Sequence, residues 1–289
     1  MRNLALASIV HSDTHKFFPT GGWGYMWGGD PDRGYDKRQP AGWGYNILPY
    51  IEERVLHDLG TSGNASSFTQ QKKDASRIRI KTVIALYLCP TRGRSGLSTN
   101  NQKVTVNVDY TGSDVVAKTD YAINGGSVAI SIPGGPAIGA LAAADSTLDA
   151  SFSAAQLNCD GVSHIRSQVR VKNIIDGTSK TYLIGEKYLN AMRSSDTVMS
   201  GDDNQSWEAG LDWDTYRWTA SPPLFDQNPD STSNSTFFGS SHAMGFNMGF
   251  CDGNVRHIPY DIENSVHTAL GGRRDGVTIG AAGSMIPGV

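Results

Sequence analysis

Asp202, Asp203 and Asn204, with Asp212 and Asp214 ten residues further on, put hard oxygen donors on what read as adjacent loops. Carboxylate and amide oxygens in that number suit Ca²⁺ in preference to a transition metal. The spacing does not match a twelve-residue EF-hand, which needs Gly at its sixth position and Glu at its last, and Asp and Asn are also common turn residues, so a solvated loop is the competing reading. Asp30, Asp32 and Asp36 among glycines form a weaker acidic group. His11 and His15 have the i, i+4 spacing of a helical metal pair, but Ser12-Asp13-Thr14 between them lacks the Glu of a zinc protease; they read as polar helix-end residues. His242 with Asp252 suggests an acid–base pair, and Ser240 or Ser241 beside it a nucleophile. No Gly-x-Ser-x-Gly elbow accompanies them, and Asp252-Gly253 between apolar strands is accounted for by turn geometry, which leaves His242 to fix the entry of a hairpin by hydrogen bonding. The catalytic expectation is therefore none. Finally, six Trp and eleven Tyr offer stacking faces for a sugar or another planar ligand, with Trp23, Trp27, Trp207 and Trp213 as candidates and Trp43 and Trp218 read as packed over a sheet.

These residues must be positioned by elements that the pattern partly discloses. Gly245 to Phe250 alternates small or polar residues with Phe246, Met248 and Phe250, Asp252-Gly253 turns the chain, and Val255 to Ile258 resumes an extended run: a β-hairpin. Residues 1–15 read as the end of a helix, with Leu4, Ala7 and His11 along one stripe and Leu6 and Val10 beside it. A Gly/aromatic loop from Gly21 to Gly44 leads to an expected amphipathic helix from Asn46 through Ile51, Val55 and Leu59. Lys72 to Leu88 suits a helix entering a short strand; Val104 to Tyr110 alternates as a strand, and Ser167–Val171 and Thr181–Glu186 read as two more. Across 289 residues, 33 Gly and only 18% charged residues favour a loop-rich protein with substantial β-structure. A net charge of −3 without a basic run gives no footprint for nucleic acid or an anionic membrane. The most apolar region, Val128 to Ala144, is broken by Pro133-Gly134-Gly135-Pro136 and so makes no membrane-spanning helix.

The His242-x9-Asp252-Gly253 pattern resembles the C-terminal motif of a large bacterial family of pilin-like exported proteins, domain of unknown function 1559. The resemblance extends through ordered landmarks: Arg2 to Gly22, Trp43-Gly44-Tyr45-Asn46-Ile47-Leu48-Pro49, Tyr87-Leu88-Cys89-Pro90, Asp120-Tyr121-Ala122-Ile123-Asn124, Asp176-Gly177-Thr178 leading to Gly185-Glu186, and Gly201-Asp202-Asp203-Asn204 leading to Asp212-Trp213-Asp214. Such proteins normally open with a basic leader, a cleavage and methylation site and about twenty apolar residues. Met1 falls where the later part of that helix would be, so no membrane span is expected in this chain, whether its hydrophobic half was removed or the truncation is natural.

The resemblance implies an α+β fold of pilin-like architecture: an N-terminal helix packed on an antiparallel β-sheet with long loop insertions. One domain is expected over 1–289, made of a helix end (1–16), a loop-rich body (17–240), the hairpin (241–262) and a C-terminal tail (263–289). It also implies a non-enzymatic, exported protein of the cell envelope, cell surface or extracellular space, related to type II secretion pseudopilins and partnered by pilin-like subunits or secretion components. No cofactor is required, with Ca²⁺ as the candidate ion. A solute- or glycan-binding module using the tryptophans is the alternative, and a hydrolase the third reading. For an exported protein, a Cys89–Cys159 disulfide is expected because Cys251 sits in the apolar hairpin; three reduced buried thiols fit equally well.

Overall fold

The computed structural model describes residues 1–98, 105–109, 115–190, 203–226, 236–279 and 285–286. Its architecture is α+β. The central sheet has five strands, β1 (Tyr121–Asn124), β2 (Tyr182–Glu186), β3 (Tyr216–Arg217), β4 (Gly245–Phe250) and β5 (Val255–Pro259), in spatial order β3-β1-β2-β4-β5. Its pairings are antiparallel except for the parallel contact of β1 with the short edge strand β3.

The alternation in β4 explains how this sheet is sandwiched. Phe246, Met248 and Phe250 point to one face and pack, fully buried, with Tyr182, Phe238, Ile258 and the helix α3 (Asn264–Gly271), through Val266, Ala269 and Leu270. Gly245, Asn247 and Gly249 line the other face, where the helix α1 (Arg2–His15) lies. A Cβ built on Gly249 would stand 3.0 Å from the Ala5 Cβ, so two small residues permit the close approach of helix and strand. α1 buries Leu4, Ala5, Ala7, Ser8, His11 and Ser12, while Leu6 and Val10 remain 42% and 46% exposed. The segment expected as a C-terminal tail therefore begins with a packed helix.

The hairpin forms as its residues require. Phe250 and Asn254 are hydrogen-bonded across the reversal, Asp252 Oδ1 accepts the Asn254 N–H at 3.0 Å, and Gly253 takes a φ of +84° that a side chain disfavours. Other expected elements differ. The helix foreseen from Asn46 is broken into Trp43–Asn46, the tight turn Leu48–Tyr50 and Arg54–Asp58, with Pro49 in the middle turn and Glu52 at a φ of +68°. Lys72 belongs to the helix α2 (Gln70–Arg79), but no strand follows it before Leu88. Within 105–109, Asn107 hydrogen-bonds the Gly28 backbone at both N–H and C=O, and this anchoring replaces the strand expected there; Val104 and Tyr110 lie outside the described residues. Ser167–Val171 is also not a strand: Val169 gives its carbonyl to Phe18 N–H in an irregular segment. Among the described residues, no helix is long and apolar enough to cross a membrane.

Candidate functional site

Three elements that follow one another only at long range in the chain meet at a single point. Cys89 opens the turn Pro90–Arg92, Glu186 ends β2, and His242 precedes β4. His242 Nε2 lies 3.0 Å from Glu186 Oε1 and 3.9 Å from Cys89 Sγ, and Cys89 Sγ lies 3.5 Å from Glu186 Oε1. Cys89 and Glu186 are buried, whereas the His242 side chain is 30% exposed. Among the described residues, this is the group of at least three His, Cys, Asp or Glu side chains whose donor atoms lie within 4.8 Å of one another.

Backbone contacts hold each member. The Cys89 N–H donates to Asp120 Oδ2 at 2.6 Å, and the Asn247 N–H donates to Glu186 Oε2 at 2.6 Å. The His242 N–H donates to Ser240 Oγ, and Tyr260 OH donates to the carbonyls of Ser240 and His242, all at 3.0 Å. The hairpin entry is thus held through the His242 backbone, while the imidazole faces Glu186. Burial and the neighbouring Glu186 carboxylate push the Cys89 thiol up, which keeps it protonated and a poor nucleophile.

An ionic chain supports the site from behind. Asp120 pairs with Arg92 at 3.1 Å and Arg94 at 2.7 Å; Arg92 continues to Asp226, and Arg94 continues to Asp203, which also meets Lys187 at 3.3 Å. Burial alone would raise the Asp203 carboxyl, but Arg94, Lys187 and Lys118 hold it well below the usual carboxylate range. Asp214 is pushed up to about 6 by burial against the pull of Lys187 and Lys118, and Asp212 is pushed well above the usual carboxylate range by burial and the Asp214 charge.

This network gives the described aspartates of the calcium expectation other partners. Asp203 already has cationic partners, Asp212 and Asp214 are shifted toward the neutral acid, and these aspartates do not gather three donor oxygens within 4.8 Å. Asn204 lines, with Asp212, a cleft described below, and Asp202 lies outside the described residues. The stacking surface is corrected. Trp23, Trp27 and Trp207 are fully buried, each with its indole N–H on a backbone carbonyl, of Lys37, Pro136 and Thr82 respectively. Trp213 alone of the four is accessible, at 37%, and lines a cleft of about 380 Å³ with Tyr25, Ile132, Asn204, Gln205 and Asp212. The three cysteines are free and buried, and Cys159 donates its S–H to the Ala155 carbonyl, so no Cys89–Cys159 disulfide is present.

Asp252 stays in the turn with Asn254 and does not partner His242; Gly253 supplies the left-handed geometry there. His11 is a core residue, with Nδ1 on the Phe17 carbonyl, and His15 binds Tyr50 OH, so neither is merely a polar helix end. Glu186 and Cys89 were missed as partners of His242, although both stand inside landmark segments, Gly185-Glu186 and Tyr87-Leu88-Cys89-Pro90. Their common occurrence in landmarks was the available signal. A family model described as protein of unknown function (DUF1559) matches residues 1–265. Neither the comparison with curated proteins nor that with solved structures returned a match.

Proposed function

This chain belongs to the DUF1559 family, and from that premise we propose that it is a non-enzymatic, exported, pilin-like component of the cell envelope that assembles with further pilin-like subunits. The observation that carries the reading is the outer face of α1. Leu6 and Val10 stand exposed one turn apart and, with Ala7, Ile51 and Leu86, line an open cleft of about 390 Å³. Fully burying a Leu or Val side chain is worth roughly 1.5–3 kcal/mol, so covering the 42% and 46% of Leu6 and Val10 left exposed gains a second copy seated there by its own α1 about half of that per residue. Sedimentation velocity over a concentration series tests assembly. Wild type is expected to show reversible self-association that Leu6→Asp with Val10→Asp abolishes while the circular dichroism spectrum stays native. A wild-type chain that remains monomeric throughout, or a variant that associates as strongly, contradicts the reading.

A second reading has its own observation. The Trp213 cleft combines two aromatic faces, Tyr25 and Trp213, with Asn204, Gln205 and Asp212 as polar donors and acceptors, which is the make-up of a solute or glycan subsite. Trp213→Ala should abolish quenching of tryptophan fluorescence by an oligosaccharide ligand panel, and wild-type fluorescence unchanged by every member would remove this reading.

A further inference from the structure

We propose that Cys89, Glu186 and His242 form a binding site for a borderline divalent cation of the Zn²⁺ type, with a fourth coordination position open at the surface. Thiolate, imidazole and carboxylate are together the donor set of such an ion, whereas Ca²⁺ and Mg²⁺ take oxygen. The spacing agrees with the chemistry. Bonds of about 2.0–2.1 Å to N or O and about 2.3 Å to S, at tetrahedral angles, place N and O about 3.3 Å apart and S about 3.5 Å from each. The observed separations are 3.0 Å for N–O, 3.5 Å for S–O and 3.9 Å for S–N. The point equidistant from all three donor atoms lies about 2.0 Å from each, the circumradius of a triangle with those sides. An ion bound slightly out of that plane reaches normal bond lengths without moving the backbone.

The surroundings are organised for this occupancy. Glu186 keeps Oε1 for the ion because Oε2 is held by the Asn247 N–H, and Cys89 is fixed by its own N–H on Asp120. His242 ligates through the Nε2 lone pair with its proton on Nδ1, and its partial exposure gives the ion its entry path. Binding is balanced by one proton: the Cys89 S–H bond breaks, the sulfur pair forms the S–metal bond, and the proton leaves to solvent. The site goes beyond the assembly reading and does not depend on it.

The test uses the purified full chain, stripped with chelator and titrated with Co²⁺, then Zn²⁺. One Co²⁺ per chain is expected, with a thiolate-to-metal absorption in the near ultraviolet that Zn²⁺ removes and Ca²⁺ does not. Cys89→Ser should lose the band, and Cys159→Ser should keep it. His242→Ala, a change at the partly exposed ligand, should weaken Co²⁺ binding by at least ~100-fold, since even groups that only orient ligands are worth about 10–100-fold. Far-ultraviolet circular dichroism of the metal-free variants checks their fold. Absence of the band in wild type, its persistence in Cys89→Ser, or equal affinity in a folded His242→Ala overturns the site.

Discussion

His11, His164 and His267 are held neutral inside the fold, and this sets how the protein responds to acid. Burial lowers His11 to about 3, helped by His15; burial lowers His164 to about 4, helped by Arg273; burial alone lowers His267 to about 3. An unfolded histidine titrates near 6.5, so between that value and the depressed one the unfolded chain binds more protons than the native one. Stability is therefore complete above about pH 6.5 and is lost as pH falls through the window below it, by roughly 2 kcal/mol per histidine between pH 7 and pH 5. Denaturant unfolding at the two pH values should show this loss, reduced by the opposite contribution of Asp212 and Asp214, whose raised carboxyls take up protons in the native state as pH falls. His267→Phe, which keeps a ring against Tyr182, Phe238 and Phe246, should reduce it by about one histidine's share. A second expectation concerns charge. Asp203→Asn leaves Arg94 and Lys187 facing a neutral amide in a buried setting and should cost about 3–5 kcal/mol in the same assay. At this scale the sequence announced residue types but not their surroundings: an Asp-rich loop reads alike whether it faces water or three buried cations.

Secondary structure was most legible where a local pattern and a packing need coincide. The Phe246, Met248, Phe250 alternation and the Asp252-Gly253 turn specified the hairpin because the large side chains enter one core and the turn needs a positive φ at Gly253. Gly253→Ala should cost about 1–2 kcal/mol from the left-handed backbone, since its Cβ meets the end of the flexible Ile9 side chain at 3.2 Å without a harder clash. Ala5→Leu should cost about 1–3 kcal/mol by overpacking the helix against Gly249, measured as a lower denaturation midpoint; an unchanged midpoint would mean that α1 does not lie on β4. The pattern misled where apolar residues serve an irregular chain. Val106 and Val108 alternate like a strand, yet Val106 N–H bonds the Met26 carbonyl and Asn107 cradles Gly28, so the alternation records burial on a folded loop. Similarly, Ile51 and Leu59 suggest one helix, but Pro49 and the left-handed Glu52 break it into turns.

For the whole molecule, the α+β class and the order of landmarks could be read along the chain, whereas the convergence of three landmarks at Cys89, Glu186 and His242 required the sheet that brings β2, the β4 entry and the Pro90 turn together. The same sheet supports α1 from one side and leaves Leu6 and Val10 facing outward. The most direct measurement of the proposed role is photocrosslinking in the cells that make the protein, with a crosslinking side chain at Val10 and a control at Ile175, which lies outside the α1 cleft and is more exposed, 74% against 46%. The expected result is an adduct between two copies of the chain, recovered in the envelope fraction, from position 10 and not from position 175. Monomer alone at position 10, or recovery of the chain only inside the cytoplasm, would contradict an exported subunit that assembles through α1.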